Sequence, residues 1–388
     1  MRRPVVLSNV YFLGAGFSKG LGFPLATELF ACMEGHRSLL LEETGFYDPH
    51  MEWIRALQQD GIYRYREALE GKLGVEDWFT HIDKLHKDNA PKTDAERFEF
   101  GRRWEVRNTS QNIKYLMAHL LGKLVYHLSG SAHPRSYYDF LEAIGSRAAL
   151  ITTNWDVAVE RILAAIGRRY TYGDGDGLPL MKLHGSANWF DLRGFKIFPH
   201  DRQVCPLPAT LQDAESFLVA DTRTGEMRVV RTTVAGLGKS SFLPHEIRGY
   251  IQCDDNPYAP TGFSEGFIAA NPEAGGKMTA PILDTMLYLP WMEKHAPDFQ
   301  PFRYIFQRTR ELLAEADRVW FVGYSMPPQD ANIVSLLRQL SQDNPRASIY
   351  VVNPDAALAG HFESLLDAKV TLVTEYTEGW IESGVWRG

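Results

Sequence analysis

The stretch "ALITTNWDVAVERIL", residues 149–163, begins as an apolar strand and ends as a helix. The run "ALIT" has the continuous apolar character of a strand buried on both faces. Trp155, Val159, Ile162 and Ile166 then recur at helical spacing. Thr153 and Asp156 have the T-x-x-D spacing of a capping box. Capping leaves Asn154 without a stated job, at the point where the strand runs out.

The same grammar recurs along the chain. Short apolar runs read as buried parallel strands: "VVLSNVYFLGAG", "AALITTN", "PLMKLHG", "RVWFVGYS", "SIYVVNP" and "KVTLVTE". Helical patterns separate several of them, namely "PLATELFACME", "DVAVERILAAI" and "DANIVSLLRQL". Such alternation predicts an α/β fold with a doubly wound, parallel, Rossmann-like sheet. Ligands of such sheets sit beyond the carboxyl ends of the strands. One domain over 1–388 is expected, with two regions that break the alternation. Residues 40–145 read as a mostly helical insertion, including "VEDWFTHIDKLH" and "NIKYLMAHLLGKLVYHL". Residues 195–280 read as a loop and β insertion, with a hairpin "SFLVADTRTGEMRVVRTTV" turning at Thr224-Gly225.

Bulk properties narrow the function classes. The net charge is −7 and no long basic run occurs, so no direct nucleic-acid partner is expected. No stretch approaches a membrane span. The basic, apolar N-terminus leads straight into a Gly-rich turn and reads as the first core strand. The three cysteines, Cys32, Cys205 and Cys253, lie far apart. They exclude a four-cysteine zinc site and fit a reducing cytoplasm.

Candidate chemistry collects at the predicted strand ends. "FLGAGFSKGLGFP" offers Gly14, Ala15, Gly16 and Ser18 where a backbone can approach a pyrophosphate, or a turn packed for geometry alone. "KLHGSANWF" places His184 before Gly185, suited to proton transfer near neutral pH or held by backbone carbonyls. In "FVGYSMPPQDANI", Gly323 and Ser325 end a strand. Ser325 suits a phosphate or a ribose, and Asp330 reads as the cap of the following helix. In "VVNPD", Asn353 either reads a ribose hydroxyl or makes an Asx-turn.

Taken in order, GAGFS, TTNWD, KLHGS, GYS and VNP resemble the sirtuin-like, silent-information-regulator type NAD-binding family. The resemblance spans roughly 5–30, 145–195 and 315–375 and fades in both insertions. It implies that Gly14, Ala15, Gly16 and Ser18 hold the NAD pyrophosphate. It implies that Asn154 and Asp156 lie around the nicotinamide and its ribose, that His184 is the general base, and that Gly323, Ser325 and Asn353 meet the adenosine half. Asp156 would bond the nicotinamide carboxamide, cap its helix, or do both.

The chain departs from the family's deacylases in lacking the two Cys pairs of their zinc module. It has Leu25-Ala26 where those enzymes carry Phe-Arg, and it lacks a recognisable acyl-lysine groove. It is therefore similar to the zinc-free bacterial branch of anti-phage NAD hydrolases. That branch implies a cytoplasmic NAD glycohydrolase that takes NAD as substrate, binds no metal, and acts by abortive infection. It further implies a homo-oligomer working with a separate chain, such as a translocase-type ATPase or an Argonaute-like protein. Two other readings stand beside it: an NAD-dependent deacylase or ADP-ribosyl transferase, and a non-catalytic module that binds NAD or ADP-ribose.

Overall fold

The computed structural model describes residues 7–36, 67–68, 70–88, 117, 121, 134–172, 177–191, 302–327 and 330–387, with short strand segments between 195 and 287. The strands are β1 (Leu7–Leu13), β2 (Ala148–Thr152), β3 (Tyr170–Thr171), β4 (Leu178–Lys182), β5 (Gly185–Asp191), β6 (Val204–Pro206), β7 (Thr210–Leu211), β8 (Phe217–Asp221), β9 (Glu226–Val230), β10 (Asp284–Leu287), β11 (Ala316–Val322), β12 (Ser348–Val352) and β13 (Val370–Val373), and two further small strand pairs also occur. The main sheet has the order β13-β12-β11-β1-β2-β4-β3-β7. All pairings from β13 to β3 are parallel, and only the two-residue β7 joins antiparallel at the edge. This is the α/β, doubly wound parallel sheet expected from the sequence. Each of the six apolar runs contributes one strand.

The sheet forms because its central strands bury both faces. In β1, Val10, Tyr11, Phe12 and Leu13 are all buried. Successive side chains of a strand leave on opposite faces. Tyr11 accordingly meets Phe140 edge-on, with ring centroids 5.2 Å apart. Phe12 packs with Phe321 at 5.3 Å and Tyr324 at 4.7 Å. Between β11 and β12 the opposed pair Trp320 and Tyr350 stacks with ring centroids 4.0 Å apart.

The helices are α1 (Ala15–Lys19), α2 (Leu29–Gly35), α3 (Val75–Asp88), α4 (Arg135–Ala143), α5 (Ala158–Ala165), α6 (Phe302–Ala314), α7 (Ala331–Asp343), α8 (Leu358–Leu366) and α9 (Thr377–Ser383). The pattern "PLATELFACME" predicts a helix from Pro24, but α2 begins only at Leu29. Glu28 stands at the N-cap of α2, and its carboxylate accepts from the Leu25 N–H at 2.9 Å and from Lys19 Nζ at 2.6 Å. Residues 24–28 become a strap instead of a first helical turn. The run "VEDWFTHIDKLH" is helical as α3, and its Trp78 is buried 5.3 Å from the ring of Phe30. The 195–280 region lies mostly outside the described residues, including the turn at Thr224-Gly225. Its strands β8 and β9 pair antiparallel from Glu226↔Asp221 to Val230↔Phe217. Together with β5, β6 and β10 they make a second sheet, ordered β10-β5-β8-β9-β6.

Winding reverses at β1. From there the chain proceeds to β2 and β4 on one side, and returns through β11, β12 and β13 on the other. The loops that leave β1, β2, β4 and β11 therefore rise at one edge, around the switch point where such folds bind ligands.

Candidate functional site

Those four loops surround a cavity of about 300 Å³. The loop after β1 contributes Ala15 and Ser18, and the loop after β2 contributes Thr153, Asn154, Trp155 and Asp156. His184 comes from the end of β4, while Gly323, Tyr324, Ser325, Pro327 and Asp330 follow β11. Phe23, the strap residues Pro24, Leu25, Ala26 and Thr27, and Leu29 build an apolar wall, which Glu76 and Leu121 complete. A cavity of this size, mainly apolar with a few convergent polar groups, is typical of small-molecule sites.

The sheet's hydrogen bonding extends past the strands and fixes the loops. The Leu183 N–H donates to Thr152 O at 2.9 Å, and the Thr152 hydroxyl donates to Leu13 O at 2.9 Å. The loops after β1 and β11 touch directly. The Gly14 N–H donates to Val322 O and the Gly16 N–H to Gly323 O, both at 2.9 Å. A Cβ on Gly14 would lie 2.5 Å from Gly323 O, and one on Gly16 2.8 Å from the Gly323 Cα. Gly323 itself has φ +63°, in the left-handed region that favours glycine. Gly14, Gly16 and Gly323 thus carry a packing requirement of their own, independent of any ligand.

Asn154 is held by both of its amide hydrogens. Nδ2 donates to Gly14 O at 2.8 Å and to Ser18 Oγ at 2.8 Å. A carbonyl only accepts, so this orientation of the amide is set by chemistry. The amide oxygen remains for a ligand. Ser18 passes the chain on: its hydroxyl accepts from Asn154 and bonds the Asp156 carboxylate. Ser18 is buried at the cavity floor and serves to position Asn154 and Asp156.

Asp156 caps its helix in part. Its Oδ1 accepts from the Ala158 N–H at 2.9 Å. The capping box expected from Thr153 does not form; the Thr153 N–H instead faces Leu13 O at 3.4 Å, and α5 starts after Val157 with no side-chain bond from that residue. Burial pushes the Asp156 carboxyl above its usual range, against the pull of Lys182, the Ala158 N–H and Ser18. Behind it lies a buried network that sequence reading missed. Lys182 Nζ donates to the main-chain oxygen of Asp156 and to Glu160 Oε1 at 2.9 Å, and the Tyr172 hydroxyl donates to the same Glu160 oxygen at 2.8 Å. The alternation of Lys182 between buried neighbours in "PLMKLHG" is the sequence signal that points inward.

Sequence reading assigned Asp330 to helix capping, and the structure corrects this. Asp330 sits at the N-cap of α7 but makes no side-chain capping bond. Its Oδ2 accepts from the Tyr324 hydroxyl at 2.7 Å, and its Oδ1 lies 3.1 Å from His184 Nε2. His184 also faces the Trp155 ring, at a centroid distance of 6.3 Å. Three carboxylates, Glu76, Asp156 and Asp330, line the cavity, and no Lys or Arg does so among the described residues. Ser325 lies exposed at the rim.

Asn353 is not brought to this cavity. Its Oδ1 accepts from the Asp355 N–H at 3.0 Å, so it makes the Asx-turn that the sequence allowed. Among the described residues no group of three or more His, Cys, Asp and Glu side chains is placed to hold a metal ion. Nor is any helix there long and apolar enough to cross a membrane.

No family model matches the chain, and no curated protein matches it. Among solved structures it is similar to Sir2Tm bound to a propionylated peptide, with 11% identity over 98% of this chain and 93% of that one, at a TM-score of 0.33. At that score the two backbones superpose too loosely for the match to bear on the site.

Proposed function

We propose that the protein is an NAD glycohydrolase, converting NAD and water to nicotinamide, ADP-ribose and a proton. The observation that carries this reading is the convergence of Asn154, Asp156 and His184 on one apolar-walled cavity at the topological switch point. The resemblance of the strand-end motifs to the sirtuin-like family supplies the substrate. Nicotinamide leaves as a neutral molecule once its C–N bond breaks, so it requires little acid assistance. The difficulty lies in the cationic, oxocarbenium-like ribose and in placing a water beside its anomeric carbon. A wall with three carboxylates and no Lys or Arg among the described residues suits a pyridinium ring and the ribosyl cation that follows it. The Asn154 amide oxygen is the acceptor that orients a water or a ribose hydroxyl. His184 takes the proton that the water loses on attack. The apolar strap offers the nicotinamide ring a dry face.

Purified protein incubated with NAD, with and without an acetylated peptide, separates the readings. Nicotinamide and free ADP-ribose released without peptide support hydrolysis. Turnover only with peptide supports deacylation or transfer, and NAD binding without turnover supports a regulatory module. Asn154→Ala and His184→Ala each abolish cleavage on this reading, the latter by about a hundredfold or more.

The biological role we propose, resting on the same motif resemblance, is a restrained anti-phage effector that depletes cellular NAD on infection. Restraint then comes from self-assembly into a homo-oligomer or from a separate partner chain, a translocase-type ATPase or an Argonaute-like protein, in which one state alone is competent. Phage challenge of cells carrying the gene and its neighbours, with NAD followed over time, tests this. Level NAD during effective defence, or protection by Asn154→Ala, overturns it.

A further inference from the structure

Lys182 is the last residue of β4, opposite Thr152 of β2, and its side chain is 1% exposed. Glu160, in the first turn of α5, is equally buried, with a carboxylate oxygen 2.9 Å from the ammonium. Taking two charges out of water is expensive, and a well-packed apolar pair of similar volume is often as stable or more so. Stability therefore does not explain this pair. What an apolar pair cannot do is hold a carbonyl oxygen. Lys182 Nζ also donates to the main-chain oxygen of Asp156, a residue that stands outside α5 because the helix starts after Val157. Other bonds tie this loop down. The Leu183 N–H donates to Thr152 O at 2.9 Å, the Ala187 N–H to Trp155 O at 2.8 Å, and the Ala158 N–H to Asp156 Oδ1 at 2.9 Å. None of these three reaches the Asp156 carbonyl.

We propose that Lys182 is a positioning residue for Asp156: its ammonium, anchored on Glu160, fixes the Asp156 peptide against β4 and so sets where Asp156 stands relative to His184 across the cavity. β4 is the right place for such a tie, because His184 follows Lys182 by two residues. Glu160 lies one helical turn beyond Asp156 on α5. The ammonium thus joins the strand that leads to His184, the loop that carries Asn154 and Asp156, and the first turn of the helix behind that loop. An ammonium on a flexible four-carbon stem has three donors to place, and it sits in one position only when acceptors fix it. The Tyr172 hydroxyl, donating to the same Glu160 oxygen at 2.8 Å, steadies the anchor. The effect on turnover rests on the NAD-cleavage reading, whereas the grip on the loop does not.

The test uses the full chain and reads both amide hydrogen exchange across residues 153–158 and NAD cleavage. Lys182→Met alone strands the Glu160 carboxylate, so it is combined with Glu160→Gln, whose side-chain oxygen still accepts from Tyr172. This double variant is expected to unfold cooperatively near the parent's midpoint, since both buried charges leave together. Its 153–158 amides are expected to exchange about tenfold faster than the parent's, while those of β1 do not change. Its kcat falls by about a hundredfold, the cost of a displacement of about 1 Å, and KM changes less. Tyr172→Phe keeps the ring contacts with Tyr170 and Trp189 and is the control for lost stability. It is expected to lower the midpoint while exchange across 153–158 and kcat stay within a few-fold of the parent. A folded double variant with parent-like exchange across 153–158 refutes the proposal. So does a Tyr172→Phe protein that loses as much kcat as the double variant, because activity then follows stability alone. If the double variant does not fold, Lys182→Met with Glu160→Leu takes its place, and failure of both overturns the proposal, since the pair then serves folding. If the parent cleaves no NAD, the hydrolase reading fails, while the exchange rates still decide the role of Lys182.

Discussion

Replacing Asn154 by Asp changes almost no volume and tests whether the site depends on the amide's two hydrogens. Nδ2 sits 2.8 Å from Gly14 O and 2.8 Å from Ser18 Oγ. An oxygen in its place faces the Gly14 carbonyl, two acceptors with no proton between them. The Ser18 hydroxyl can turn to donate to the new carboxylate, but only by abandoning Asp156, whose carboxyl is already disfavoured by burial. Two hydrogen bonds at about 1 kcal/mol each, and a buried carbonyl orphaned at about 1–3 kcal/mol, bring the stability loss to about 3–5 kcal/mol. Relief of that strain swings the side chain, so its remaining oxygen no longer sits where the site presents it. A misplacement of about 1 Å at such a position costs about a hundredfold in rate. Urea unfolding and NAD cleavage measured on the parent, Asn154→Asp and Asn154→Ala give the check. Asn154→Asp is expected to be no more active than Asn154→Ala and less stable than it, because alanine introduces no opposing acceptor. Cleavage by Asn154→Asp within a few-fold of the parent would refute the reasoning, since the network would then tolerate the loss of both donors.

Other expectations follow from the same geometry. Because burial raises the Asp156 carboxyl, the native state binds its proton more tightly than the unfolded chain does, and this group's contribution to stability declines as pH rises through the raised value. Asp156→Asn, whose amide oxygen can still accept from Ala158, should therefore melt no lower than the parent at pH 7.5, with the advantage shrinking as pH falls toward the ordinary carboxylate range, while NAD turnover drops about tenfold or more; a variant clearly less stable at pH 7.5 contradicts this. Gly323→Ala places a Cβ 2.6 Å from the Gly16 carbonyl carbon at φ +63°, so its denaturant midpoint should reflect a loss of about 2–4 kcal/mol, and a parent-like midpoint would show that the loop junction gives way freely. Metal analysis of purified protein should find no stoichiometric zinc and chelators should leave NAD cleavage intact; one tightly held zinc per chain would reveal a ligand set beyond the described residues.

The sheet was legible because a parallel strand covered on both faces leaves an unbroken apolar run, and each of the six such runs became a strand. β3 escaped notice because two residues carry no periodicity. The helix over "PLATELF" begins later than its spacing suggests, at Leu29. Leu25, Leu29, Phe30 and Met33 keep helical spacing, yet the first four positions form a cavity wall, with the Leu25 N–H bound to the Glu28 carboxylate. Spacing reports which face is apolar; it does not report which local acceptor wins an amide. Asn353 illustrates the same competition resolved locally, through its bond from Asp355.

The site divides along that line as well. Asn154, Asp156 and His184 could be placed together because each follows a strand of one parallel sheet, and parallel strands deliver their carboxyl ends to a common edge. Asp330 also follows a strand, but its sequence surroundings already supply a sufficient occupation, the start of a helix. What removes it from that occupation is a tyrosine six positions earlier in the same loop, whose hydroxyl donates to Oδ2, while His184, after a strand on the far side of β1, lies 3.1 Å from Oδ1 without a hydrogen bond to it. A capping carboxylate and one turned to a tyrosine hydroxyl are indistinguishable in a single chain read from one end to the other. They differ in which donor reaches them, and the donor here is the Tyr324 hydroxyl. The forgone cap is therefore the informative observation: a buried acid at a helix start whose side chain makes no capping bond marks a place where another interaction, here with the Tyr324 hydroxyl, outweighs about 1 kcal/mol of capping.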